Sequence, residues 1–142
     1  RAQYERLMDA LIEDYGLDVA AAAKRLWMSN DDLRYLAEHG HMIGLHSYSH
    51  PTALAQLPAE EQAREYEQNY AHLQRVCRQD PMAMAHPTNS YREDTLTILR
   101  HLGIRCGFRS NMSPSQDGGP LNPNPFELAR EDHANIMRRL AC

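Results

Sequence analysis

The sequence predicts an α/β fold in which parallel strands alternate with helices, and three observations carry that reading. From residue 42 onward, short apolar runs bounded by turn residues alternate with longer stretches of helical period, in the order strand, helix, strand, helix, strand. The longer stretches carry helix punctuation: Pro58 stands ahead of Glu60 and Glu61 at one start, and Gly103 marks one stop. Strands separated by helices pair in parallel, so their carboxyl ends share one edge, and His46, His50, His86, Arg109 and Ser110 all fall at such ends. In barrels and open α/β sheets that edge is where sites are built.

Taken in order, residues 3–15 read as an amphipathic helix with Leu7, Met8, Leu11, Ile12 and Tyr15 on its apolar side and Gly16 as its stop. A short helix over 18–26 follows, with Trp27 expected to anchor the approach to the next one. Ser29 and Asp32 have the spacing of a capping box, and Leu33, Leu36 and Ala37 continue at helical spacing to Gly40. Met42 to Ser47 is the first strand, and a long helix runs from Pro58 to about Arg78, with Tyr66 and Tyr70 as packing residues. Met82 to His86 is the second strand. Ser90 to Glu93 reads as a second capping box ahead of Leu96, Leu99 and Leu102, and Ile104 to Phe108 is the third strand, with Cys106 filling core space. Residues 110–125, rich in Ser, Pro, Asn and Gly, form a surface loop. Phe126 to Ala129 is a last short strand, and a helical turn through Ile136 and Leu140 closes the chain.

Composition narrows the function classes. A chain of 142 residues with 42% hydrophobic and 24% charged residues fits one globular domain or a piece of one. A formal charge of −4 with scattered Lys and Arg gives no nucleic-acid footprint. Cys77, Cys106 and Cys142 are odd in number and lack metal-ligand spacing, so no disulfide framework is expected. The apolar run Val19 to Ala23 is far too short to span a bilayer. No signal peptide is visible, which favours a cytoplasmic setting, although a first residue of Arg1 leaves room for a lost upstream segment.

The chemistry concentrates in Gly44-Leu45-His46-Ser47-Tyr48-Ser49-His50-Pro51. Gly44 and Pro51 disfavour a helix through this pair, and Ser47 follows the first histidine where a helical zinc protease needs Glu. The pair therefore sits on a loop leaving a strand. It reads either as part of a hydrolytic metal site or as two hydrogen-bonded surface histidines.

Three stretches together resemble the polysaccharide deacetylase family, the NodB-homology or carbohydrate esterase family 4 domain. The first runs from Met28-Ser29 through Leu33 and Leu36 to Gly40-His41-Met42-Ile43-Gly44-Leu45-His46-Ser47-Tyr48-Ser49-His50-Pro51, similar to that family's Gly-His-x-Ile-Gly and His-(Ser/Thr)-x-x-His run. The second, Met84 to Tyr91, is placed like its proline-containing third motif. The third, Phe126-Glu127-Leu128-Ala129-Arg130-Glu131-Asp132, is like a late Leu-Pro-Arg-x-Asp segment. The resemblance implies a partial, deformed (β/α) barrel that removes an acetyl group from an N-acetylated sugar or polysaccharide with one divalent metal, usually zinc. It implies His46 and His50 as metal ligands. Arg130, Asp132 and His133 are the catalytic candidates, Arg130 to pair with a carboxylate base or with its neighbours Glu131 and Asp132, and His133 as the general acid. Tyr48, His86, Asn89 and Tyr91 are candidates to bind the sugar, with a backbone-bonded His86 as the alternative. His39, His41, His72 and His101 need no role.

Two departures shape the expectation. The family's Thr-Phe-Asp-Asp-Gly motif, which supplies the third ligand and the general base, is absent here, and Ala85 stands where many members have Arg. Residues 1–142 accordingly read as the C-terminal part of a single deacetylase-like domain whose opening strands lie outside this chain. Either that missing segment or another chain would complete the barrel and cover its edges. The competing reading is a non-catalytic homologue that binds a carbohydrate or a partner on the same face. An amidohydrolase-type barrel would need His-x-His within one strand, and the chain has none.

Overall fold

The computed structural model describes residues 2–113 and 119–140. Residues 114–118 of the expected surface loop, and Cys142, lie outside them. Six α-helices are described: α1 (Ala2–Asp14), α2 (Val19–Leu26), α3 (Asn30–Glu38), α4 (Ala59–Cys77), α5 (Glu93–His101) and α6 (His133–Leu140). Two strands, β1 (Ala83–Ala85) and β2 (Cys106–Phe108), pair in parallel with Met84 opposite Gly107. Leu45 bridges Met84 on one side and Leu128 bridges Phe108 on the other, both in parallel. Four extended segments therefore lie side by side in chain order. That progression, without reversal, is how a (β/α) barrel grows, whereas doubly wound sheets reverse direction. The described segments form a parallel arrangement consistent with part of such a wall, and their carboxyl ends share one edge.

The outer two strands are shorter than the sequence suggests. Leu45 donates to the Ala83 carbonyl and accepts from Ala85 N–H, both at 2.9 Å. The next residue leaves the ladder, because the His46 N–H goes to Asn69 on α4. The fourth segment is likewise a single bridge at Leu128, since the 126–127 backbone turns around Asn124. Local capping was read more accurately at α3, where Ser29 and Asp32 form the reciprocal box with donor distances of 3.1 and 2.7 Å. At α5 the cap shifts: Thr95 Oγ1 accepts from Arg92 N–H, and Ser90 turns its hydroxyl to Ala55 N–H instead.

The core lies between the sheet and helices α4 and α5. Leu45, Leu54, Tyr66, Leu73, Met84, Leu99 and Ile104 form it, and Gln62 is buried among them with its amide oxygen accepting from the Thr95 hydroxyl at 2.5 Å. Gln62, Tyr66, Leu73 and Val76 are the buried residues of α4 and recur at helical spacing, which fixes that helix against the sheet. Tyr66 is the packing residue expected of it. Trp27 is not, being 74% exposed, and Cys106 is only half-buried. The apolar stripe of α1 is only partly covered, with Met8 and Ile12 half-buried but Leu7, Leu11 and Tyr15 exposed.

Two glycines permit the close approach of neighbouring segments. A Cβ on Gly44 would stand 2.7 Å from the Ala83 carbonyl oxygen, and one on Gly107 would stand 2.7 Å from the Phe126 carbonyl oxygen and 3.0 Å from Met84 Sδ. Gly107→Ala is expected to force the sheet apart and destabilise the chain by about 1–3 kcal/mol. Thermal unfolding checks this, and an unshifted midpoint would show that the neighbouring segment yields freely.

Candidate functional site

The site is built where the Leu45 segment leaves the sheet. Ser47 and His50 both have positive φ, 62° and 53°, which coils the loop tightly between them. The backbone N–H groups of Tyr48 and Ser49 both donate to Glu65 Oε2, at 3.0 and 2.7 Å, and the Ser49 hydroxyl donates to Glu65 Oε1 at 2.7 Å. The His46 N–H donates to Asn69 Oδ1 at 3.0 Å. The resulting loop brings the imidazoles of His46 and His50 to a centroid separation of 4.9 Å with their planes 58° apart.

This geometry fits a shared cation. Two rings that each ligate one tetrahedral ion through a nitrogen at about 2.1 Å hold their centroids roughly 5 Å apart. The tautomer also fits. His46 Nδ1 lies 2.8 Å from the Ala85 carbonyl oxygen, which can only accept, so Nδ1 carries the proton and Nε2 keeps its lone pair. Both rings belong to exposed residues. His46 borders an apolar groove of about 390 Å³ along the sheet, lined also by Met42, Ala83, Ala85 and Phe108. His50 borders a cavity of about 530 Å³ with Tyr4, Glu5 and Thr52. Among the described residues no group of three or more His, Cys, Asp or Glu is arranged to hold a metal. The two imidazoles are thus a pair of donors, two of the four that a tetrahedral ion would need.

A second cluster lies at the ends of β1 and β2. His86 is buried, donates from Nε2 to the Phe126 carbonyl at 2.8 Å and stacks on Tyr91 at 4.0 Å with a 24° tilt. The Tyr91 hydroxyl donates to Glu127 Oε1 at 2.8 Å, and Glu127 also accepts from Asn124 Nδ2. Burial, reinforced by the hydrogen bond to Glu127 and its charge, pushes the Tyr91 phenol up to about 12. Asn89 Oδ1 accepts from Ser110 N–H at 2.9 Å. Arg109 is buried with Nε on the Glu127 carbonyl at 3.1 Å and Nη2 on the Leu121 carbonyl at 2.6 Å. Of the four residues expected to meet a sugar, Tyr48 stands exposed beside the histidine pair, whereas His86 Nε2, Asn89 Oδ1 and the Tyr91 hydroxyl are engaged by the protein, and His86 Nδ1 is buried without a hydrogen-bond partner among the described residues.

His86 makes stability depend on pH. Burial lowers its pKa below the usual imidazole value, outweighing the Phe126 carbonyl and Glu127, which favour the charged form. The unfolded chain takes up this proton below about pH 6.5 while the folded chain resists it. Stability is therefore complete above that pH and falls as the pH drops towards the folded-state value. Urea unfolding at several pH values, compared with His86→Gln, is expected to show a steeper acid loss in the wild type. Parallel profiles for the two chains would remove this cause.

The late segment is organised separately. Arg130 is exposed, with its N–H on the Asn111 carbonyl at 3.3 Å. His133 opens α6, and its Nδ1 faces Asp132 Oδ1 at 3.5 Å, with side chains 92% and 57% exposed. The His46 and His50 rings face each other and His46 bonds Ala85, whereas His133 faces its sequence neighbour Asp132. The sequence reading missed Glu65 and Asn69, which bond the loop from 16 to 23 residues away. It also gave no role to Glu127 and Asn124. The regular spacing of buried residues on α4 could have indicated which row faces the loop, but not which atoms it meets.

Comparison with known proteins bears on this arrangement. The family model described as polysaccharide deacetylase matches residues 5–107. A search of curated proteins gives no significant match. Among solved structures, the chain is similar to the Streptococcus pyogenes deacetylase PplD in complex with acetate, with TM-score 0.57 and 22% identity over 78% of this chain and 50% of that one. It is similar to the BpsB deacetylase domain from Bordetella bronchiseptica, with TM-score 0.57 and 14% identity over 74% of this chain and 48% of that one. It is also similar to a CE4 family pseudoenzyme from Bacillus anthracis, with TM-score 0.50 and 19% identity over 53% and 26%. The chain thus spans between a quarter and a half of the length of these structures.

Proposed function

Because the chain belongs to the polysaccharide deacetylase family, matched over residues 5–107, we propose that it supplies the two-histidine half of a metal-dependent centre that deacetylates an N-acetylated sugar or polysaccharide. The observation that carries this reading is the 4.9 Å separation of the His46 and His50 rings, with His46 fixed by Ala85 in the tautomer that leaves Nε2 free. A divalent ion of zinc type, when bound, supplies Lewis-acid polarisation and lowers the pKa of its water.

The chain's own residues provide orientation. Ala85 holds the His46 ring through Nδ1, and the 46–50 loop brings His50 beside it. Tyr48, 61% exposed next to the pair, presents an aromatic face and hydroxyl to a sugar ring. His133 and Arg130 are the chain's candidates for proton donation and for pairing with a carboxylate base, and both are exposed, His133 at the start of α6 and Arg130 three residues before it. The family's general base and third ligand are carboxylates of a Thr-Phe-Asp-Asp-Gly motif that these 142 residues do not contain. Among the described residues no helix is long and apolar enough to cross a membrane.

Titration of the purified chain with zinc, followed by calorimetry and metal analysis, tests the reading. One ion per chain, competed away by a chelator, is expected. A chain that takes up no divalent metal would overturn it.

A further inference from the structure

We infer that Glu65 and Asn69, four residues apart on α4, are positioning residues that hold the 46–50 loop in the one conformation placing both imidazoles on a common cation. This rests on His46 and His50 acting as metal ligands. The loop cannot keep its shape by local preference. Ser47 and His50 adopt left-handed backbone conformations, which side chains with a Cβ rarely take, and no glycine lies between them. Such a loop needs bonds from outside.

Those bonds come from one helix face. The Asn69 side chain accepts the His46 N–H at 3.0 Å, where a continued strand would have offered a neighbouring carbonyl. The Glu65 carboxylate accepts three donors, the Tyr48 and Ser49 N–H groups and the Ser49 hydroxyl, at 2.7–3.0 Å. An ionised carboxylate suits three convergent donors because it carries no hydrogen of its own, whereas an amide must turn its NH2 towards one of them. Residues at i and i+4 share a helix face, and α4 is in turn immobilised by buried Gln62, Tyr66, Leu73 and Val76. The loop that carries both rings is therefore held from a packed helix, while the Ala85 carbonyl holds the His46 ring itself.

The test is zinc affinity by calorimetry, with cobalt absorption as a report of ligand geometry, on the full chain and four variants. Glu65→Gln, which preserves size, and Asn69→Leu, which removes the acceptor, are expected to weaken zinc binding by about ten- to a hundredfold and to alter the cobalt bands. Asn69→Asp keeps the acceptor and should retain wild-type affinity to within about threefold. Glu67→Ala, exposed on the same helix, should bind as wild type. Folded Glu65→Gln and Asn69→Leu chains that bind as tightly as wild type, while His46→Ala has lost binding, would overturn this inference and leave the metal site standing. Equal losses in Asn69→Leu and Asn69→Asp would also overturn it, since the acceptor would not matter. A wild-type chain that binds no metal removes the metal site and the inference together.

Discussion

Zinc affinity is expected to fall by at least about a hundredfold in His46→Ala and equally in His50→Ala. The reason is donor count. The described residues offer this pair and no larger cluster, so removing either ring leaves one imidazole, and one imidazole does not compete with water for a hydrated divalent ion. The two losses should not add, because a chelating pair is already broken by the first. The His46→Ala,His50→Ala double variant should therefore resemble either single one. Neither change should greatly affect folding, since both residues are exposed and outside the core. His46 does donate to the Ala85 carbonyl at 2.8 Å, so its variant is expected to lose about 1 kcal/mol more stability than the other. Unchanged zinc stoichiometry and affinity in both single variants would sink the metal-site reading.

The second large effect concerns turnover. These 142 residues alone are expected to release no measurable acetate from an acetylated oligosaccharide, because two imidazoles provide neither a complete coordination sphere nor a base. Joining the chain to an upstream segment that carries an apolar strand ending in paired aspartates should raise acetate release by about a hundred- to ten-thousandfold, the usual contribution of a positioned general base. The release should vanish with chelator and with His46→Ala. Acetate release by the chain alone would show that its own residues complete the site. An extended chain that binds zinc but releases nothing would favour the competing non-catalytic, carbohydrate-binding reading.

Much of the fold was legible in the sequence. The Ser29–Asp32 box, the Pro58 start of α4, the Gly103 stop and the apolar centres of β1 and β2 are all decided within three or four residues, the range over which caps and strand periodicity operate. Parallel pairing followed from the alternation itself, because strands joined through helices have no antiparallel alternative at short range. The histidine pair was likewise visible as a spacing.

Tertiary structure decided which residues surround that pair. Trp27 and much of the α1 stripe, Leu7, Leu11 and Tyr15, read as apolar contacts yet are exposed, because burial depends on a partner surface that periodicity does not supply. Ser90, expected as a cap, serves Ala55 instead, and Tyr91 pairs with Glu127 at a separation of 36 residues. Glu65 and Asn69 carry no motif, since any polar residue on that helix row satisfies the local pattern. What the sequence by itself determined was the order of elements and the two imidazoles at a strand end. Only the packed fold determined that these rings lie 4.9 Å apart, because that distance is set by hydrogen bonds from a helix and a strand that local preference cannot bring together.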